Sequence, residues 1–206
     1  MTTGTEYMRD HWWWRPGWSE GRRFYTWHLT FDRQPEVHRF AEQYRAVLAP
    51  VGGLDLIPDR WLHLTMQGIG FVGEVAEQEV LSIAEAAKRR LANVPPFDVV
   101  LTTPVVDPEA ILAPVQPDAP VRAVRDAIRA SIGDVLPEVP ERAEGFRPHV
   151  SVGYSNGTGP AAPFVAAIAA AEVAPAHAHI THAELIIINR DNRMYEWESL
   201  AQVPLG

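Results

Sequence analysis

The chain has 206 residues, of which 47% are hydrophobic and 21% charged, and a formal net charge of −8. This composition is typical of a globular protein with a sizeable core, and the acidic balance argues against binding to long nucleic acid duplexes. The absence of cysteine excludes disulfides, thiol nucleophiles and thiolate metal sites. No signal-peptide pattern and no run of about 18 apolar residues is present, so we expect a cytoplasmic protein that makes no membrane contact. We also expect a monomer.

Residues 1–20 are predicted to form an N-terminal arm ahead of a single two-lobed domain over residues 21–206. The arm holds four of the seven tryptophans, and a Pro-Gly pair interrupts it. These tryptophans are Trp12, Trp13, Trp14 and Trp18. One interpretation is that the arm covers apolar surface of the body. The other is a stacking wall beside an active site, with Arg15, Arg22 and Arg23 close to a phosphate.

The remaining elements are predicted from the periodicity of apolar side chains. In chain order they are a strand over 23–31, a helix over 35–48, a strand over 60–70, a helix over 74–91, strands over 97–106 and 110–115, a helix over 120–132, a strand over 147–154, a loop over 155–160, a helix over 161–171, and a hairpin of strands 177–188 and 194–203. Helices and strands are interspersed, and the last connections are predicted to be antiparallel. The fold class is therefore predicted to be α+β.

Two of the predicted strands carry the same short pattern of histidine, aliphatic residue and hydroxyl residue. The segments are His63-Leu64-Thr65 and His149-Val150-Ser151. Because a strand alternates its side chains between two faces, each histidine shares a face with its hydroxyl residue. Two imidazoles and two hydroxyls along one cleft would suit acid–base chemistry on a phosphate ester. The residues leave open which histidine acts as acid and which as base.

Other histidines allow alternative interpretations. His28, next to Trp27, is interpreted as a half-buried strand residue, with contact to a substrate as the second interpretation. His11 and His38 are predicted to lie on the surface. A cluster near the C-terminus suggests a zinc-dependent hydrolase as the weakest alternative. Its members are His177, His179 and His182.

The two motifs resemble those of the 2H phosphoesterases, also called the 2′-5′ RNA ligase-like superfamily, whose signature is a pair of strand-borne His-x-Thr/Ser motifs. The Arg147-Pro148 lead-in to the second motif is similar to the RNA ligase-like branch, and Tyr154 is similar to a tyrosine that contacts the phosphate in cyclic phosphodiesterases. The resemblance runs from about Arg23 to the C-terminus and leaves the role of the arm open. It implies a bilobal α+β fold in which two antiparallel sheets face each other across a central cleft, with helices outside.

The resemblance further implies hydrolysis of 2′,3′-cyclic phosphates, on RNA ends or small nucleotides, without a metal or other cofactor. The implied catalytic residues are His63, Thr65, His149 and Ser151, and the residues expected to contact the substrate are Tyr154, His28, Trp27 and Arg147. The resemblance favours a 2′-phosphate product, whereas the residues alone allow a 3′-phosphate equally. The alternatives are 2′-5′ RNA ligation, a non-catalytic module that binds RNA ends or nucleotides, and a protein that binds a partner through its arm.

Overall fold

The computed structural model describes residues 5–206. Its helices are α1 (Pro35–Leu48), α2 (Glu77–Leu91), α3 (Asp118–Gly133) and α4 (Ala162–Ala170), and short 3₁₀ turns lie at Ala49–Val51 and Asp59–Trp61. Its strands are β1 (Tyr7–Met8), β2 (Phe24–Thr30), β3 (Leu54–Leu56), β4 (His63–Phe71), β5 (Phe97–Leu101), β6 (Val105–Asp107), β7 (Ala110–Gln116), β8 (His149–Ser155), β9 (Gly159–Pro160), β10 (Ala176–Ile180), β11 (His182–Asn189) and β12 (Glu196–Pro204).

The longer strands form two antiparallel sheets, each of which carries one His-x-hydroxyl motif. The first-motif sheet has the order β12-β11-β2-β4. The second-motif sheet has the order β10-β5-β7-β8-β3, and β6 also pairs with β7. A short ribbon of β1 and β9 joins the start of the chain to the segment after the second motif. The predicted α+β class with antiparallel sheets is confirmed.

The helices form where the sequence offers one apolar face. Helix α1 spans the predicted residues, begins at Pro35 and buries Val37, Phe40 and Tyr44, because a proline at the first helical position leaves no amide unsatisfied. Helix α2 begins three residues later than the pattern predicts. Ala76 has an extended backbone, with φ −69° and ψ 137°, so the helix cannot begin before Glu77. The Glu79 carboxylate accepts a hydrogen bond from the amide of Ala76 at the start of the helix.

Two predicted strands are each divided in the structure. The predicted strand 97–106 forms β5 and β6, with the Thr102 amide bonded to the Pro114 carbonyl between them. The predicted strand 177–188 breaks at Thr181, so that β10 joins the second-motif sheet while β11 joins the first-motif sheet and pairs with β12. The predicted hairpin therefore holds only for β11 and β12. This crossing at Thr181 ties the two sheets together covalently.

One continuous hydrophobic core supports both sheets. Helix α1 packs against β10 and α4, and α2 packs against α3 and β12. The motif strands β4 and β8 also contact each other, so the two sheets meet at the motifs. Among the helices of residues 5–206, none combines the length and the apolar character that a membrane crossing requires.

Candidate active site

The two motifs line a single cavity of about 440 Å³. His63 and Thr65 reach it from β4, and His149 and Ser151 reach it from β8. The intervening Leu64 is 1% exposed and Val150 is fully buried, because alternate residues of a strand point to opposite faces. The alternation therefore gives each strand an apolar face for the core and a polar face for the cavity.

Both motif histidines are held by the same local bond. Nδ1 of His63 lies 2.8 Å from the carbonyl oxygen of Trp61, and Nδ1 of His149 lies 2.7 Å from that of Arg147. A carbonyl oxygen can only accept a hydrogen bond, so Nδ1 carries the hydrogen in each ring. In the neutral imidazole, Nε2 then keeps its lone pair and remains available for proton transfer.

Burial favours the neutral form of both rings. Burial lowers the pKa of His63 to about 4, against the raising effect of its bond to the Trp61 carbonyl, and the nearby His149 lowers it further. Burial also lowers the pKa of His149, where the bond to the Arg147 carbonyl and the charge of Asp107 act in the opposite direction. Both histidines are therefore neutral at neutral pH, and either one is able to accept a proton.

Tyr154 lies deep in the cavity wall. It is 3% exposed, and burial raises the pKa of its phenol, while the neighbouring Ser151 side chain acts in the opposite direction. The ring of His11 stacks on it at a centroid distance of 4.4 Å. Tyr154 therefore keeps its own proton at neutral pH.

Not all the residues that were predicted to contact the substrate reach the cavity. His28 lines the cavity beside His63, whereas Trp27 is fully buried on the opposite face of β2. Neighbouring strand residues cannot share a face, so only one of the two reaches the cavity. Arg147 lies at the cavity edge, with its side chain 77% exposed and 3.6 Å from the Asp107 carboxylate.

The N-terminal arm forms part of the cavity. Residues 1–4 of the predicted arm lie outside the described residues, but His11, Arg15 and Trp18 line the cavity wall. The predicted surface position of His11 is wrong, since His11 is only 8% exposed. Arg22 and Arg23 instead pair with Glu74 and Asp191 away from the cavity.

Glu109, in the turn between β6 and β7, and Arg190, at the end of β11, fix the arm. The Glu109 carboxylate accepts hydrogen bonds from Arg15 at 2.7 Å and from Trp13 Nε1 at 3.2 Å. The buried Arg190 donates to the carbonyl of His11 at 2.9 Å. Because the two residues belong to different sheets, the arm bridges both sheets at one end of the cavity. Neither residue belongs to a sequence motif: Glu109 lies within a turn and Arg190 follows a strand, so no sequence pattern marks them as functional.

The histidines of the zinc hypothesis lie apart from the cavity. His177 and His179 are exposed on β10, and His179 Nδ1 lies 2.7 Å from Asp98. His182 begins β11 in the other sheet. Among residues 5–206, no three His, Asp or Glu side chains are grouped as metal ligands.

Comparison with known proteins agrees with this geometry. The family model of the 2′-5′ RNA ligase superfamily matches residues 31–192, which include both motifs. No curated protein sequence was found to match the chain.

Three solved structures illustrate the shared fold. The crystal structure of TT0787 of Thermus thermophilus superposes with a TM-score of 0.68 at 19% identity, covering 89% of this chain and 97% of that one. E. coli LigT in apo form gives a TM-score of 0.65 at 15% identity, covering 89% and 98%. E. coli LigT complexed with 3′-AMP gives 0.63 at 14% identity, again covering 89% and 98%. The predicted bilobal architecture is confirmed, and the chain belongs to the 2′-5′ RNA ligase superfamily, the family of the 2H phosphoesterases.

Proposed function

We propose that this protein hydrolyses 2′,3′-cyclic phosphates by two-histidine acid–base catalysis, without a metal ion. The observation that carries the proposal is the matched geometry of His63 and His149. Each Nδ1 is bonded to a backbone carbonyl, and the two rings reach one cavity from different sheets. This arrangement supports a phosphate held between two imidazoles, with attack and departure in line at phosphorus.

The reaction requires one water molecule and two proton transfers. One neutral imidazole takes a proton from water as the water oxygen bonds to phosphorus. The bond from phosphorus to one ribose oxygen breaks, and the other imidazole, in its protonated form, donates a proton to that oxygen. A bound phosphate anion raises the pKa of the histidine beside it, so one ring is able to carry the required proton despite its burial. Each such proton transfer contributes about 10²–10⁴-fold to the rate.

Thr65 and Ser151 supply hydroxyl donors to the non-bridging phosphate oxygens. Both line the cavity on the same strand faces as their histidines. A donor fixed on a strand is already oriented when charge develops in the transition state, so little reorganisation is required.

A nucleoside cyclic phosphate or a single RNA end fits this site better than a long nucleic acid. The cavity volume of about 440 Å³ lies within the range for small-molecule sites. The positive residues at the cavity are local, at Arg15 and Arg147, in a chain of net charge −8. A structure of the related E. coli LigT holds 3′-AMP, which has the size of the expected product.

The test is hydrolysis of the four nucleoside 2′,3′-cyclic phosphates and of a short RNA with a cyclic phosphate end, in buffer with EDTA. We expect turnover to a single monophosphate isomer, which chromatography identifies. Activity that disappears in EDTA and returns with a divalent ion would contradict the metal-free mechanism. The absence of turnover on all substrates would contradict hydrolysis and would favour 2′-5′ ligation, measured with paired RNA ends, or nucleotide binding without catalysis.

A further inference from the structure

His28 packs its imidazole flat against that of His63. The ring centroids lie 4.2 Å apart with an interplanar angle of 4°. His28 is 1% exposed, and its Nδ1 has no hydrogen-bond partner among the described residues. Its Nε2 lies 3.5 Å from the Thr65 hydroxyl, a distance too long for a strong hydrogen bond. A buried polar ring with so few polar contacts requires an explanation other than hydrogen bonding.

The second motif has no counterpart to this histidine. In the first-motif sheet His28 stands directly opposite Thr65, and in the second-motif sheet Leu112 stands directly opposite Ser151. The two motifs therefore share their sequence pattern and their Nδ1 bond but differ at the cross-strand position. His28 also precedes residues 31–192, the segment that matches the family model.

Stacking on His28 restricts the orientation of the His63 ring in a way that its hydrogen bond to the Trp61 carbonyl does not. An imidazole held only at Nδ1 by the Trp61 carbonyl can still tilt about that bond, and tilting moves Nε2. A parallel ring in contact with one face blocks this tilt. The Trp197 ring packs nearly perpendicular to both imidazoles, with centroid distances of 5.6 Å to His28 and 5.3 Å to His63, and limits the movement of the pair.

We propose that His28 is a positioning residue, whose stacked ring fixes the plane of His63 and keeps water from one of its faces. This inference rests on the proposed function, in which Nε2 of His63 transfers a proton. A misplacement of about 1 Å at a reacting group can cost about 10²-fold in rate. Shielding from water also favours the neutral form of His63, because a charged imidazole is stabilised by hydration.

Ionisable groups face the stacked pair from several elements. Glu184 on β11 stands directly opposite His28 and accepts a hydrogen bond from Ser199. His63 on β4 stacks its ring on that of His28. His149 on β8 and Tyr195 before β12 face His63. These groups remain in place in the variants below, so a change in the titration of His63 would report the loss of the stacked ring.

The test compares His28→Ala, which removes the ring, with His28→Phe, which keeps a stacked ring without nitrogen atoms. The matched control is Leu29→Val, a buried substitution on the core face of the same strand. Three properties are measured: the pKa of His63, the pH profiles of kcat and KM, and the melting temperature. The pKa is obtained by NMR of the His63 imidazole, whose signals are assigned by their loss in His63→Asn.

For His28→Ala we expect the pKa of His63 to rise by about one pH unit toward 6.5 and kcat to fall about 10–100-fold, with KM nearly unchanged. His28→Phe should keep both values near those of the wild type. Leu29→Val should lower only the melting temperature. If the alanine variant does not fold, His28→Asn replaces it with the same expectation.

An unchanged pKa and kcat in folded His28→Ala would overturn the inference, and so would a phenylalanine variant as impaired as the alanine variant. A wild-type protein without any activity would instead contradict the proposed function. In that case the NMR titration still decides whether His28 controls the protonation of His63.

Discussion

His63 and His149 stand on strands of different sheets, yet each imidazole is bonded through Nδ1 to the carbonyl oxygen two residues earlier, at 2.8 and 2.7 Å. The bond sets the same tautomer in both rings, so each presents an available Nε2 to the shared cavity. One short sequence pattern therefore produces the same orientation twice. The pair is the basis of the activity proposed here.

Substitution of either histidine should greatly lower turnover while preserving the fold. We expect His63→Asn and His149→Asn each to lower kcat by about 10²–10⁴-fold, because asparagine keeps polarity but transfers no proton. The double variant should be little worse than either single variant, since the two rings act in one step. The measurement is kcat on a nucleoside 2′,3′-cyclic phosphate, with the exposed His179→Asn as control. Near wild-type turnover in either single variant would rule out the two-histidine mechanism.

Removal of either motif hydroxyl should impair the chemical step more than binding. We expect Thr65→Val and Ser151→Ala to lower kcat about 10²–10³-fold each, the usual cost of losing a donor to a developing oxyanion, whereas Thr65→Ser should retain most activity. Steady-state kinetics on the same substrate measure this. Ser82→Ala is the matched control, because the Ser82 hydroxyl bonds only to Gln78 within helix α2. A higher KM with an unchanged kcat would instead indicate that the hydroxyls act in ground-state binding.

Acid should destabilise the fold in a pH range set by buried histidines. Burial lowers the pKa of His63 to about 4 and that of His11 to about 3, while an unfolded histidine titrates near about 6.5. Below pH 6.5 the unfolded chain therefore binds protons that the folded chain does not, and the free energy of unfolding decreases as the pH falls. Each of these histidines contributes up to about 1.4 kcal/mol per pH unit.

Urea unfolding between pH 7 and 5 measures this dependence, above the range in which most carboxylates titrate. His11→Phe keeps a ring against Tyr154 but cannot be protonated, so its free energy of unfolding should depend less steeply on pH. A slope identical to that of the wild type would show that His11 is not buried as a neutral ring in solution.

Release of the N-terminal arm should weaken both stability and substrate binding. Arg190→Met leaves the buried His11 carbonyl without its 2.9 Å donor, so we expect the free energy of unfolding to fall by about 1–3 kcal/mol. Chymotrypsin should then cleave the arm faster after Trp12 or Trp13, and KM should rise because the arm lines the cavity. The exposed Arg39→Met on helix α1 is the control. A resistant arm with an unchanged KM would contradict its role in the cavity wall.

The sequence alone was sufficient wherever a local pattern sets the structure. The spacing of apolar residues predicted helix α1 at its observed bounds, because an amphipathic helix depends on contacts within a few turns. The alternation along β4 and β8 likewise predicted that each motif histidine shares a face with its hydroxyl. The motif pair also predicted the family, which the match over residues 31–192 confirms.

Only the tertiary structure decided which distant segments meet. Thr181 divides one apolar run between two sheets, and Glu109 and Arg190 fix the arm across the cavity. The same packing buries His11 and stacks His28 on His63. A sequence pattern reports the faces of one element but not its partner, because strand pairing and ring packing depend on contacts between residues far apart in the chain.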